Sequence, residues 1–405
     1  MFLKSDRKPS DGNFYKKNEY TIDFGYQSLK KFIFQEHDFS NIKNLYIHNN
    51  NLKELPDPKY FPNIQYLDCS NNRLTNIPFY KNLKYLIIKN NNVYDLINYN
   101  NSGLKYLDVS DNIGIDINII LNECKEIYCS HCNLSAFKIN KYNKIKILDI
   151  SNNRLSNIDT SESLVELNIE NNKISDLCLF PNLTALIIKN NRLEKINKYP
   201  NLLVLNASNN FIKHMDSMDY LKELIISNNR LDCIPYMKGL RYIDLSNNLI
   251  KQITIPNNCE YIDLSNNLIK QIIIPNNCKH LYLTGNKIEV FSTPGKISSN
   301  IEMGYYSYSS FMKYCDNQDY KTDISINSNE LKELIKKLEK LIPHNKLEIL
   351  YDEIIKIDFN NCIKKLKKIT KIIYEINETD NRFHYCYETI CSIYKKSIIV
   401  KIYCC

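Results

Sequence analysis

The chain has 405 residues, a net charge of +8 and 43% hydrophobic residues, enough to bury a core in two or three domains. The thin positive surplus does not mark a nucleic-acid binder, and no apolar run approaches the roughly 18 residues of a membrane span. Of the fourteen cysteines, Cys69, Cys124, Cys129, Cys132, Cys259 and Cys278 sit at repeat positions that suit reduced, buried thiols, which speaks against a disulfide scaffold.

Residues 1–41 read as an N-terminal segment and cap. The opening MFLKSDRKPSDG lacks the apolar core of a secretory signal. Leu29, Phe32 and Phe34 belong to a partial repeat that would cover the open edge of a sheet. From residue 42 to 290 one unit recurs about thirteen times. It is plainest at Tyr242–Glu260 and Tyr261–Lys279, two 19-residue blocks that differ only at Thr254/Ile273 and Glu260/Lys279. A recurring Asn marks each copy, from Asn50 to Asn286, with Cys132 in its place in the fifth. The steps are 22, 19, 21, 20 and 21, then 19 seven times. The spacing is LxxLxLxxNxL, as in Leu183, Leu186, Ile188, Asn191 and Leu193.

In Leu-x-Leu two apolar residues flank a polar one, which predicts a strand with one buried face. A single such strand cannot cover its apolar side, so the copies stack into a parallel sheet, about 60 Å long at about 4.8 Å per strand. The return to the next strand takes about ten residues, too few for a helical crossover. The convex side should therefore be extended segments and turns, as Ile77-Pro78, Ile234-Pro235 and Ile255-Pro256 suggest. The Asn amide, with donors and an acceptor, would satisfy turn backbone groups removed from water.

Residues 291–327 lose the pattern and read as a C-terminal cap and linker. Residues 328–405 read as a small helical region. Leu331, Leu334, Ile335, Leu338, Leu341 and Ile342 share one face, with Asn327 and Glu330 at capping-box spacing and Pro343 as the stop. Leu347, Leu350, Ile354 and Ile355 predict a second helix, and Ile363, Leu366, Ile373 and Ile376 a third. Phe383 to Ile398 allows a fourth, although Ile398-Ile399-Val400 also reads as a strand.

The thirteen registered copies resemble the leucine-rich-repeat family, over roughly two-thirds of the chain. The resemblance implies a solenoid with a parallel sheet on its concave side and a mostly non-helical convex side. It also implies protein recognition through the concave face.

On that face the third, fifth and seventh pattern positions point outward. They supply Tyr46, His48, Tyr66, Asp68, Tyr85, Lys89, Tyr106, Asp108, Tyr128, Asp149, Tyr242, Asp244, Tyr261, Asp263 and Tyr282 as candidate partner-binding residues. Tyrosine gives large contact area at low entropic cost. The aspartates would repel a phosphate backbone and favour a protein with a basic surface. Duplication alone could also have copied these columns without selection for binding.

Cys124, Cys129, His131 and Cys132 have the spacing of a zinc cluster, yet the repeat register already accounts for all three cysteines, and no metal or cofactor is expected. The basic face at Lys364, Lys365, Lys367, Lys368 and Lys371 and the terminal Cys404-Cys405 allow a membrane-associated scaffold. Cys315 leaves room for a cysteine-dependent ubiquitin-ligase-like enzyme whose repeats select the substrate. No phosphate loop, zinc-protease motif or nucleophile elbow occurs. The expected function is a non-catalytic scaffold for an unknown protein, at an intracellular, cytoplasmic location.

Overall fold

A computed structural model of the protein describes residues 15–32, 39–100, 102–117, 121–139 and 144–292, together with short strands at 302–303, 321–325 and 399–403. Thirteen three-residue strands, from Asn44–Tyr46 to His280–Tyr282, lie parallel and in register in one sheet. Each buries its middle residue and turns its first and third outward, as alternation along a strand requires. The solenoid expectation holds. No α-helix occurs among the described residues of the convex side, which carries 3-10 turns at Pro58–Tyr60 and Ile97–Tyr99 and short parallel strand pairs such as Lys195–Ile196 with His214–Met215.

Before the first full copy, Thr21–Asp23 adds a parallel strand to Asn44–Tyr46, and Tyr15–Asn18 folds back antiparallel against it. At the far end Glu302–Met303 pairs with His280–Leu281. Lys321–Ser325 pairs antiparallel with Ile399–Tyr403. Ile399 and Val400, which also read as a strand, are extended here. The helices expected over 328–398 lie outside the described residues.

The core is a stack of identical layers. Leu183, Leu186, Ile188 and Leu193 are all buried, and their counterparts repeat from Leu45 to Leu283. Behind them runs a second column that the pattern did not reveal. Phe39, Phe61, Tyr80, Tyr99, Phe180 and Tyr199 are buried on the convex side, with the Phe39 and Phe61 rings stacked at 5.0 Å. A buried phenol needs a partner, and each finds a carbonyl one repeat back. Tyr80 Oη donates to Pro56 O at 2.7 Å, Tyr99 Oη to Pro78 O at 2.9 Å and Tyr199 Oη to Cys178 O at 3.1 Å.

Adjacent layers are tied by the Asn column. Asn210 Nδ2 donates to Ile188 O, Ala207 O and Ser208 O at 3.0, 3.1 and 3.2 Å, while its Oδ1 accepts from Leu193 N at 3.0 Å. The same set recurs at Asn191, Asn229, Asn248 and Asn267. Each amide thereby satisfies backbone groups of two repeats that no strand pairing reaches.

The preceding column explains why asparagines come in pairs. Asn71, Asn90, Asn152 and Asn247 all have φ near +55°, with Asp111 at 60°, His131 at 55° and Gly285 at 78° in the same register. Asn and Asp tolerate this left-handed region better than other side-chain-bearing residues. Their amides also link repeats, as Asn90 to Asn71 at 2.8 Å and Asn171 to Asn152 at 2.7 Å. The chain therefore has two asparagine ladders, one buried and one at the rim.

Candidate functional site

The predicted concave residues do project from the sheet, but the fold divides them into two groups. Strands from Asn44–Tyr46 to Glu126–Tyr128 are adjacent, so Tyr46, Tyr66, Tyr85, Tyr106 and Tyr128 form one unbroken run of rings. Successive centroids lie 5.0, 6.0, 6.3 and 5.4 Å apart. His48 extends the run toward the N-terminus, 6.5 Å from Tyr46 and 5.2 Å from Tyr26. Tyr85 is the most open member at 42% exposure.

Tyr242, Tyr261 and Tyr282 form the second group. Tyr242 and Tyr261 stack face to face at 4.2 Å, and Tyr282 lies 5.6 Å from Tyr261. Five strands separate this group from Tyr128, a gap of about 29 Å at the usual strand spacing. The strip between them lacks aromatic rings and carries Ile147, Ile187, Val204 and Ile225 half-buried beside Asn168 and Asn206, with Asp149, Glu166 and Glu223 as its carboxylates.

The aspartates have a structural task that sequence reasoning missed. Asp68 Oδ1 accepts from Ser70 N and Oγ at 3.0 and 2.6 Å. Asp108, Asp149 and Asp263 each accept from the Ser amide two residues on at 2.9 Å, and Asp244 from Ser246 N at 3.0 Å. These are turns closed by an Asx side chain, and Asn206 does the same toward Ser208 at 3.2 Å. The Asp-x-Ser spacing was the available signal. One carboxylate oxygen of each Asp closes the turn and leaves the negative charge on the concave surface.

Burial raises the pKa of Asp108 and Asp263 above the usual carboxylate range, against the lowering that the Ser amides supply. Tyr66 is pushed up to about 12, first by burial and then by the charge of Asp68. Tyr46, Tyr106, Tyr128, Tyr242 and Tyr261 are also raised, burial being the main cause. All are neutral phenols at physiological pH, so the face offers hydroxyl donors, ring faces and carboxylates. That surface suits cationic side chains, which find ring faces and negative charge together.

Lys89 is held locally. Its Nζ lies 3.6 Å from Asp111, which also faces His131 Nδ1 at 3.7 Å. Cys124, Cys129 and Cys132 are buried and His131 points outward, so the four do not converge. Burial drives the thiols away from the thiolate a metal would take, Cys124 to about 12 and Cys132 to about 11. Among the described residues no group of three or more acidic, His or Cys side chains could hold a metal ion, and no helix is long and apolar enough to cross a membrane. Cys315, the lysines of 364–371 and Cys404-Cys405 lie outside the described residues.

The family model of leucine-rich repeats in two copies matches residues 40–82. A leucine-rich repeat protein of Acanthamoeba polyphaga mimivirus is 41% identical over 174 residues, a stretch that is 41% of this chain and 41% of that protein, so the match spans under half the relative's length. Among solved structures, YopM from Yersinia enterocolitica superposes with a TM-score of 0.52 at 24% identity, covering 66% of this chain and 73% of that one. The functional domain of InlJ from Listeria monocytogenes superposes at 0.56 and 22% identity, covering 70% and 72%. These two likenesses are likenesses of fold. With its registered repeats and its buried asparagine ladder, the chain has the leucine-rich-repeat fold, and its residues 40–82 match the model of that family.

Proposed function

We propose that this chain is a non-catalytic scaffold that recognises a protein partner through its concave sheet. The run Tyr46, Tyr66, Tyr85, Tyr106 and Tyr128 is the principal contact. One observation carries the reading: five adjacent strands each place a tyrosine in a continuous row of rings, with Asp68, Asp108 and Asp149 beside them. Aromatic anchors with carboxylates around them favour a partner that presents lysine or arginine. Tyr242, Asp244, Tyr261, Asp263 and Tyr282 form a second, smaller contact. Residues 1–41 act as a cap, 42–290 as the recognition solenoid, 291–327 as cap and linker and 328–405 as a separate tether. The free, largely buried thiols of the described cysteines suit a reducing cytoplasm.

The test is affinity purification from the native cell with wild-type bait and a Tyr85→Ala, Tyr106→Ala bait of equal melting temperature, read by mass spectrometry. Proteins captured by the wild type and lost by the variant support the reading. An unchanged set moves the site off this cluster.

A further inference from the structure

The residue just after each ladder asparagine makes a second row, on the rim of the solenoid rather than its concave face. In seven successive repeats this residue is Arg154, Lys173, Arg192, Phe211, Arg230, Leu249 and Leu268. Its backbone N–H donates to a carbonyl one repeat back every time, at 2.7 Å for Arg154, 2.8 Å for Lys173 and Arg192, and 2.9 Å for Phe211 and Arg230. The steps are all 19 residues, so these bonds fix the side chains in line at about 4.8 Å, about 29 Å end to end.

All seven side chains are exposed, Phe211 to 42% and both leucines to 48%. None of the four cations takes part in an ion pair among the described residues. Of the acidic groups two residues further on, Glu194 is neutralised by Lys213 at 3.1 Å, and Asp232 follows Arg230. The Arg230 guanidinium lies 4.8 Å from the Phe211 ring centre, which holds the charge over an apolar surface. Single exposed lysines are ordinary. A straight row with unpaired cations at one end and half-exposed large apolar residues at the other is not explained by packing.

We infer that this rim is a docking strip for an extended acidic protein segment, carboxylates toward Arg154, Lys173 and Arg192 and apolar residues toward Leu249 and Leu268. Charge complementarity sets the first part and the apolar end sets the second. A nucleic-acid strand would find only Phe211 to stack on, because leucines offer neither ring nor hydrogen bond to a base. A bilayer needs apolar residues projecting beyond the cations, whereas here both stand on one ladder of backbone bonds. The strip is distinct from the tyrosine face and independent of it.

The probes are two fluorescein-labelled peptides, five glutamates followed by Leu-Phe-Leu and the reverse order, read by anisotropy. Wild-type protein should bind at least one of them, more weakly as salt rises. The triple variant Arg154→Glu, Lys173→Glu, Arg192→Glu should lose at least tenfold in affinity, and Leu249→Ser with Leu268→Ser several-fold. Tyr85→Ala with Tyr106→Ala should bind the peptide as wild type does, which separates this strip from the concave site. If charge reversal lowers the melting temperature, the Gln triple at the same positions takes its place. Failure to bind either peptide overturns the inference, as does equal binding by the triple variant. Row-dependent capture of phosphatidylserine vesicles or of a 20-nucleotide single strand in preference to the peptides also overturns it.

Discussion

The solenoid has an irregular N-terminal half, with steps of 22, 19, 21, 20 and 21, and a uniform half from Asn153 onward, with every step 19. In the uniform half each layer repeats the hydrogen bonds of the last, down to the same carbonyl acceptors. In the irregular half the ladder breaks once. Cys132 stands where Asn should, and its thiol meets Val109 O and Ser130 O at 3.3 and 3.4 Å, a weak donor in place of an amide. The amide's missing acceptor is replaced as well. Gly114, at φ +83°, turns its N–H to the Cys132 backbone carbonyl at 2.9 Å. Uniform step length therefore serves the backbone network, while variation in step length coincides with the part that carries the tyrosine run. Backbone regularity and aromatic surface are thus spread unequally along one repeating architecture.

The largest expected effect lies in the uniform core. Leu224→Ala removes a fully buried side chain from a layer closed on both sides and should cost about 2–5 kcal/mol, read by urea or thermal unfolding. A cost under about 1 kcal/mol would mean that the layers are not close-packed. Next comes the ladder. Asn248→Ala strips donors from Ile226 O and Leu245 O and an acceptor from Leu231 N, for about 1–3 kcal/mol. Cys132→Ala, where the turn already does without an amide, should cost less than about 1 kcal/mol. Equal losses at the two positions would break the contrast between the halves.

The smallest effect concerns Asp108. Burial raises its folded pKa, so the native state opposes ionisation. The penalty is absent below the unfolded aspartate pKa, grows as pH rises through it and is complete above the folded value. Asp108→Asn keeps the oxygen that accepts from Ser110 N, as Asn206 does for Ser208. The variant should melt a few degrees higher at most than wild type at pH 7, with the gain vanishing toward pH 3. A loss of stability at pH 7 would assign Asp108 a favourable charge instead.

Much of this was legible because the signal repeats. Leu183, Leu186, Ile188 and Leu193 announce strand, face and layer by spacing alone, and thirteen copies remove the ambiguity of any one. The paired asparagines carried two messages, a left-handed turn at Asn190 and an amide ladder at Asn191, of which spacing revealed only the second. Tyr80 and Tyr99 escaped notice because their register lies in loops whose lengths vary, and Tyr199 because its 19-residue column changes residue type, from Phe180 to Met218 and Met237. The twin blocks hid a smaller lesson. Their Glu260/Lys279 difference places an ion pair between neighbouring repeats where two like charges would otherwise stack. The sequence already divides the tyrosines between the N-terminal and C-terminal halves, and the strand order puts about 29 Å between the two groups.

The most direct test compares the two tyrosine groups against one partner captured by the wild type. Binding of purified wild type, Tyr85→Ala with Tyr106→Ala, and Tyr242→Ala with Tyr261→Ala is measured by calorimetry at two salt concentrations. The N-terminal variant should lose at least about thirty-fold in affinity, the scale of one central aromatic anchor, and the C-terminal variant clearly less. Affinity of the wild type should fall with salt, as aspartates facing a basic partner require. Full affinity in the N-terminal variant at unchanged melting temperature would contradict the account.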